Sequence, residues 1–140
     1  MKKVFYARKE SDLSDISTAF LASFEGAKIF AFFAEMGAGK TTFIRYLAKA
    51  MGIADEVSSP TYGFVNEYES PTYGQVNHFD LYRIESEEEA YDIGLEEYLD
   101  SDQFVFIEWA ENIDNRLPES CVRIKITQDK DGGRCIEAKL

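Results

Sequence analysis

The stretch Ala34-Glu35-Met36-Gly37-Ala38-Gly39-Lys40-Thr41-Thr42 lies between an apolar run, Lys28 to Phe33, and an amphipathic one from about Thr41 to Met51. A buried strand that passes through glycines into a helix opening on Lys-Thr has the residues and the context of a phosphate-binding loop. The chemistry requires these residue types. Glycines let successive backbone N–H groups curl around a β-phosphate, a lysine neutralises β- and γ-phosphate oxygens, and the following hydroxyl is a ligand for Mg²⁺. The backbone from Met36 through Gly37, Ala38 and Gly39 to Lys40, Thr41 and Thr42 is therefore expected to cradle a nucleoside triphosphate. Ala34 stands where the first glycine of such loops usually stands, and a methyl group is the smallest addition that position could receive. The bland alternative is a glycine-rich turn before a helix, which explains neither the lysine nor the hydroxyl.

Working outward, Lys28 to Phe33 are almost wholly apolar, as expected of a central strand covered on both faces. Phe104-Val105-Phe106-Ile107 repeats that signature and stops abruptly at Glu108-Trp109. Residues 2–7 read as a short strand. Asp12 to Phe24 place Leu13, Ile16, Phe20, Leu21 and Phe24 at helical spacing, a face expected to join the core. Strands and helices alternate through the chain, which predicts an α/β domain occupying residues 1–140. Near the end, Val122, Ile124 and Ile126 alternate, Asp131-Gly132-Gly133 makes a turn, and the chain returns through Cys135 to Leu140. This predicts a C-terminal β-hairpin closing the sheet at an edge, with Cys135 opposite a residue near Thr127.

Two segments nearly repeat. Ser59-Pro60-Thr61-Tyr62-Gly63-Phe64-Val65-Asn66 and Ser70-Pro71-Thr72-Tyr73-Gly74-Gln75-Val76-Asn77 differ at one of eight positions. A hairpin accounts for them, with strands near 63–69 and 75–82 and the second Ser-Pro-Thr copy in the turn. The first copy follows Lys40 at the distance where nucleotide-sensing loops often sit, so Thr61 rather than Thr72 is the expected sensor. Ser86 with Glu89 forms a capping-box pattern, opening an acidic helix whose Tyr91, Leu95 and Tyr98 or Leu99 are expected to face inward.

Composition narrows the functional classes. A 140-residue chain with 45% hydrophobic residues has material for a core. Its net charge of -11 argues against a broad footprint on nucleic-acid phosphates, so any nucleic-acid role is expected to be indirect. Cys121 and Cys135 lack the spacing of a zinc site or redox pair and are expected to be free thiols. The N-terminus has no long apolar core and no stretch reaches bilayer length, so a cytoplasmic location is expected.

Phosphoryl transfer to water needs a metal, a positioned nucleophile and charge stabilisation. Asp80, in His78-Phe79-Asp80-Leu81-Tyr82-Arg83, and Glu108 both end β-like runs. Either one is suited to hold Mg²⁺, directly or through water, or to orient the attacking water, and sequence alone does not divide the roles. His78, beside an aromatic residue in a strand, reads as structural. Arg83 is placed to reach a phosphate or to clamp the two acids, with a plain surface arginine as the alternative. Trp109 packs on nucleotide, on a partner, or in the core. No guanine-reading Asn/Thr-Lys-x-Asp motif occurs, which favours ATP.

Together, Gly37 to Thr42, Ser59-Pro60-Thr61-Tyr62, His78 to Arg83 and Glu108-Trp109-Ala110-Glu111 resemble the TsaE family, formerly YjeE, small bacterial ATPases of tRNA threonylcarbamoyladenosine synthesis. The similarity runs in order along nearly the whole chain. It implies a P-loop NTPase fold with a mixed central sheet flanked by helices, and work carried out alongside the TsaD and TsaB proteins. It also implies that Lys40 and Thr41 contact phosphate and Mg²⁺, that Thr61 belongs to a switch-like loop, and that Asp80 and Glu108 serve metal and water, with Arg83 and Trp109 following. The function so implied is an ATP-hydrolysing accessory subunit, catalytic through Glu108, Asp80 and Lys40, that reaches tRNA only through its complex. Two other readings fit a small phosphate-loop domain. One is an assembly module that needs ATP binding without hydrolysis, and the other is a small-molecule kinase, for which the chain leaves little room for a lid and an acceptor pocket.

Overall fold

The structure, a computed structural model, describes residues 1–34, 39–60 and 63–140. The chain runs through β1 (Lys2–Ala7), α1 (Leu13–Ser23), β2 (Ile29–Ala34), α2 (Lys40–Ala50), β3 (Val65–Ser70) and β4 (Gly74–Asp80). It continues through α3 (Glu87–Asp92), α4 (Leu95–Leu99), β5 (Phe104–Glu108), a 3₁₀ segment (Ala110–Arg116), β6 (Val122–Gln128) and β7 (Arg134–Lys139). Among the described residues, seven strands form one sheet in the order β1-β7-β6-β2-β5-β4-β3. β2 pairs in parallel with β5 and β6, and β4 pairs in parallel with β5. The remaining pairings are antiparallel, so the sheet is mixed.

Both faces of the central strands are covered, which explains their unbroken apolar runs. On one face Phe30, Phe32 and Phe106 pack beneath α1 and α2, which contribute Phe20, Phe43 and Leu47. On the other, Ala31, Val105 and Ile107 meet Ala90, Leu95 and Ile113 from the helices between β4 and β6. Phe20 is the hub of the first layer. It is fully buried, and its ring centroid lies 5.1–6.0 Å from those of Phe5, Phe24, Phe30 and Phe43. Phe20→Ala is expected to lower unfolding free energy by about 3–5 kcal/mol, the range for truncating a buried aromatic side chain. Urea denaturation checks this, and a loss below about 1 kcal/mol would mean that the layer collapses around the gap.

Two sequence expectations need correction. The C-terminal hairpin is not the sheet edge, because β6 joins β2 and β7 still has a free side, which β1 fills as the edge strand. Its internal register is as expected, with Thr127 opposite Cys135. The acidic helix is likewise not continuous. Ser86 caps its start by accepting the Glu89 N–H at 3.2 Å, but the chain breaks at Gly94, whose φ is 84°. A left-handed glycine resets the helical phase, so Tyr91 is 59% exposed while Ala90 and Leu95 are buried. Tyr98 does turn inward, edge-on to Phe79 at 5.0 Å.

Both cysteines are free, and burial pushes the Cys121 thiol up to about 12, which makes it inert. No helix among the described residues is long and apolar enough to cross a membrane.

Candidate functional site

The carboxyl ends of parallel strands are where open α/β sheets receive ligands. Here β2, β4 and β5 end together, so the start of α2, Asp80 and Glu108 meet at the carboxyl end of these strands. Asp80 and Glu108 are directly opposed in the β4–β5 register. Gly39 precedes α2 with φ 105°, a conformation that strains any residue with a Cβ. It aims the first turn of α2, and the positive end of its dipole, into the cleft.

Thr41 and Glu108 are joined. The Thr41 hydroxyl donates to Glu108 Oε1 at 2.6 Å and lies 3.2 Å from Ser59 Oγ. Glu108 Oε2 is 2.6 Å from His78 Nε2, and both side chains are buried. Burial pushes the Glu108 carboxyl up, but hydrogen bonds from His78 and Thr41 and the nearby Lys40 ammonium outweigh it, so the group sits below its ordinary range. Asp80 goes the other way. It is half-buried, and desolvation raises it despite the N–H that Tyr82 donates to Oδ1 at 3.0 Å.

Lys40 is 6% exposed, and its Nζ lies 3.5 Å from the centroid of the Trp109 ring, a cation–π contact. Burial lowers the Lys40 pKa, opposed by Glu111, Glu108 and Asp80. Trp109 reaches this position through a left-handed backbone, φ 59°, uncommon for a residue with a side chain. Its ring also packs on exposed Tyr82 at 4.9 Å.

These groups line a cleft of about 370 Å³ bounded by Gly39, Lys40, Thr41, Thr42, Asp80, Tyr82, Glu108 and Trp109. A second cavity of about 270 Å³ shares Gly39 and Thr42 with it and extends between the β1–α1 turn, at Lys9 and Glu10, and the β6–β7 turn, at Gly132 and Arg134.

Of the residues singled out from sequence, Gly39, Lys40, Thr41, Thr42, Asp80, Glu108 and Trp109 come together here. Arg83 donates from NH2 to the Gly63 carbonyl at 3.4 Å and lies over Phe64 at 6.0 Å, beside the segment that enters β3. Thr72 is exposed and borders a cavity with Gly26 and Phe104, at the end of the sheet away from the cleft. Met36, Gly37, Ala38 and Thr61 lie outside the described residues.

Sequence reasoning missed His78, Ser59 and Tyr82 as parts of the site. The spacing of His78 and Asp80 offered one signal, since residues two apart in a strand share a face. The donor set suits magnesium. Among the described residues no three His, Cys, Asp or Glu side chains form a self-sufficient metal site. One hydroxyl and two carboxylates are hard oxygen donors of the kind that hold Mg²⁺ together with phosphate and water oxygens.

A family model described as threonylcarbamoyl adenosine biosynthesis protein TsaE matches residues 7–136. A Bacillus subtilis protein named tRNA threonylcarbamoyladenosine biosynthesis protein TsaE is 39% identical over 100 residues, covering 71% of this chain and 61% of that protein. Its namesake from Treponema pallidum is 35% identical over 99 residues, covering 71% and 72%. The one from Nostoc is 32% identical over 141 residues, covering 98% and 85%. Among solved structures, Bacillus subtilis YdiB superposes with a TM-score of 0.75 at 23% identity, covering 99% of this chain and 84% of its own, a likeness of fold.

Proposed function

Because the chain belongs to the TsaE family, we propose that it binds ATP with Mg²⁺, hydrolyses the γ-phosphate, and serves as an accessory subunit in synthesis of tRNA threonylcarbamoyladenosine. The observation that carries this reading is the Thr41–Glu108 hydrogen bond at 2.6 Å, which sets the phosphate-loop hydroxyl against a strand-end carboxylate beside Lys40 and Asp80. Lys40 and the N-terminal amides of α2 bind phosphate. Thr41, Glu108 and Asp80 are the residues that would hold Mg²⁺, which neutralises charge on the β- and γ-phosphates when bound. Glu108, held ionised, and Asp80 orient the attacking water. The adjoining cavity receives the nucleoside, since it opens from the same Gly39 and Thr42. Trp109 and Tyr82 wall the phosphate side, Thr61 senses the nucleotide, and Arg83, beside Gly63, reaches a phosphate or clamps the two acids.

The threonylcarbamoyl transfer itself is assigned to partners of the TsaD and TsaB families, with tRNA reached only through them. A γ-phosphate bound in the cleft would change the surface offered to those partners. Titrating the chain with a cognate TsaD–TsaB pair is expected to give tighter association with a non-hydrolysable ATP analogue than with ADP or no nucleotide. Equal affinity in all three states would remove the switch, and no complex in any state would remove the accessory role.

A further inference from the structure

We propose that His78 is a positioning residue for Glu108, its Nε2–H anchoring one carboxylate oxygen inside the protein so that the other faces Thr41 and the phosphate side of the cleft. The inference rests on the reading of that cleft as a magnesium–nucleotide site and adds a residue to it. The Nε2 to Oε2 distance is 2.6 Å, and the partners are 0% and 2% exposed. A carboxylate only accepts, so the shared proton belongs to Nε2. In the β4–β5 register His78 lies opposite Phe106, not Glu108, so the carboxylate leans back along its strand to meet the ring. This leaves Oε1 for Thr41 at 2.6 Å. Each carboxylate oxygen therefore has its own donor, which fixes the rotation of the group.

A histidine retained only for packing would be expected to satisfy both ring nitrogens. Here Nδ1 is buried with no hydrogen-bond partner among the described residues, so the polar ring makes its one described hydrogen bond at Nε2. Outer partners of this kind orient ligating groups, and their loss typically costs 10- to 100-fold in metal affinity or activity.

His78 is the only histidine, so its ring signals are unambiguous. In the full-length chain labelled with ¹⁵N-histidine, we expect a downfield, exchange-protected Nε2–H proton. That signal should vanish in Glu108→Ala, and it should shift when ADP is added with Mg²⁺ more than when ADP is added with EDTA. The Mg²⁺ concentration that half-saturates ADP binding should rise about 10- to 100-fold in His78→Leu and return to within a few-fold of the parent in His78→Gln, whose amide still donates. An Nε2 without a proton, or a signal unaltered in Glu108→Ala, would overturn the anchoring. A folded His78→Leu with parental Mg²⁺ dependence, or a His78→Gln no better than the leucine, would overturn the positioning role. Should the leucine variant fail to fold, the ring signals of the parent decide. A parent that binds no ADP at all would instead defeat the nucleotide reading, and with it any purpose for the positioning.

Discussion

Lys40→Ala is expected to weaken binding of both ATP and ADP by roughly a hundred- to a thousandfold, measured by calorimetry with Mg²⁺ present. The ammonium is buried against Trp109 at the mouth of α2, within the cleft that Asp80 and Glu108 also line. A triphosphate placed against the α2 amides meets this buried cation. Removing one partner of a desolvated charge pair costs about 3–5 kcal/mol, and each 1.4 kcal/mol is a factor of ten in affinity. The variant should remain folded. Phe43, Ile44 and Leu47 still dock α2 into the core, and the buried ammonium already pays a desolvation penalty that alanine relieves. Near-parental affinity would show that the loop before α2 does not hold phosphate.

Glu108→Gln is expected to leave nucleotide binding measurable while lowering hydrolysis about 10²- to 10³-fold, the scale of removing one preorganised electrostatic group from an active site. Glutamine keeps the shape of the side chain and an oxygen that accepts from His78 or Thr41. It removes the charge that those donors and Lys40 stabilise. Asp80→Asn should have a smaller effect in the same direction, because Asp80 is half-buried and already shifted toward its neutral form by desolvation. If both variants hydrolyse ATP at the parental rate with partners present, the assignment of these two acids is wrong.

The features legible in the sequence are those set by local physics. Two-sided burial writes itself as an unbroken apolar run, and both Lys28–Phe33 and Phe104–Ile107 proved to be central strands. The Asp131 to Gly133 turn was visible because Asp129 Oδ1 accepts the N–H groups of residues 131 and 133, at 3.0 and 2.9 Å, a local pattern that Asp and Gly favour. Strand neighbours are not local. The exposed pattern of β1 fits either edge of a sheet, so nothing in residues 2–7 says that β7 is its partner. The His78–Glu108 contact was hidden for the same reason, since it depends on β4 lying parallel to β5 in one particular register. The Lys40–Trp109 contact depends on a left-handed backbone at a tryptophan, which no propensity anticipates. Gly94 went unread inside the acidic helix, and the break there moves Tyr91 from the expected interior to the surface.

The most direct test of the cleft is phosphate release from ATP by the full-length chain mixed with its cognate TsaD–TsaB pair, with and without Mg²⁺. Magnesium-dependent release that rises when the pair is added, and that falls in Glu108→Gln without loss of complex, is the expected result. Release that is absent with the pair, or equal in the parent, Lys40→Ala and Glu108→Gln chains, would contradict the assignment of this cleft as a nucleotide-hydrolysing site.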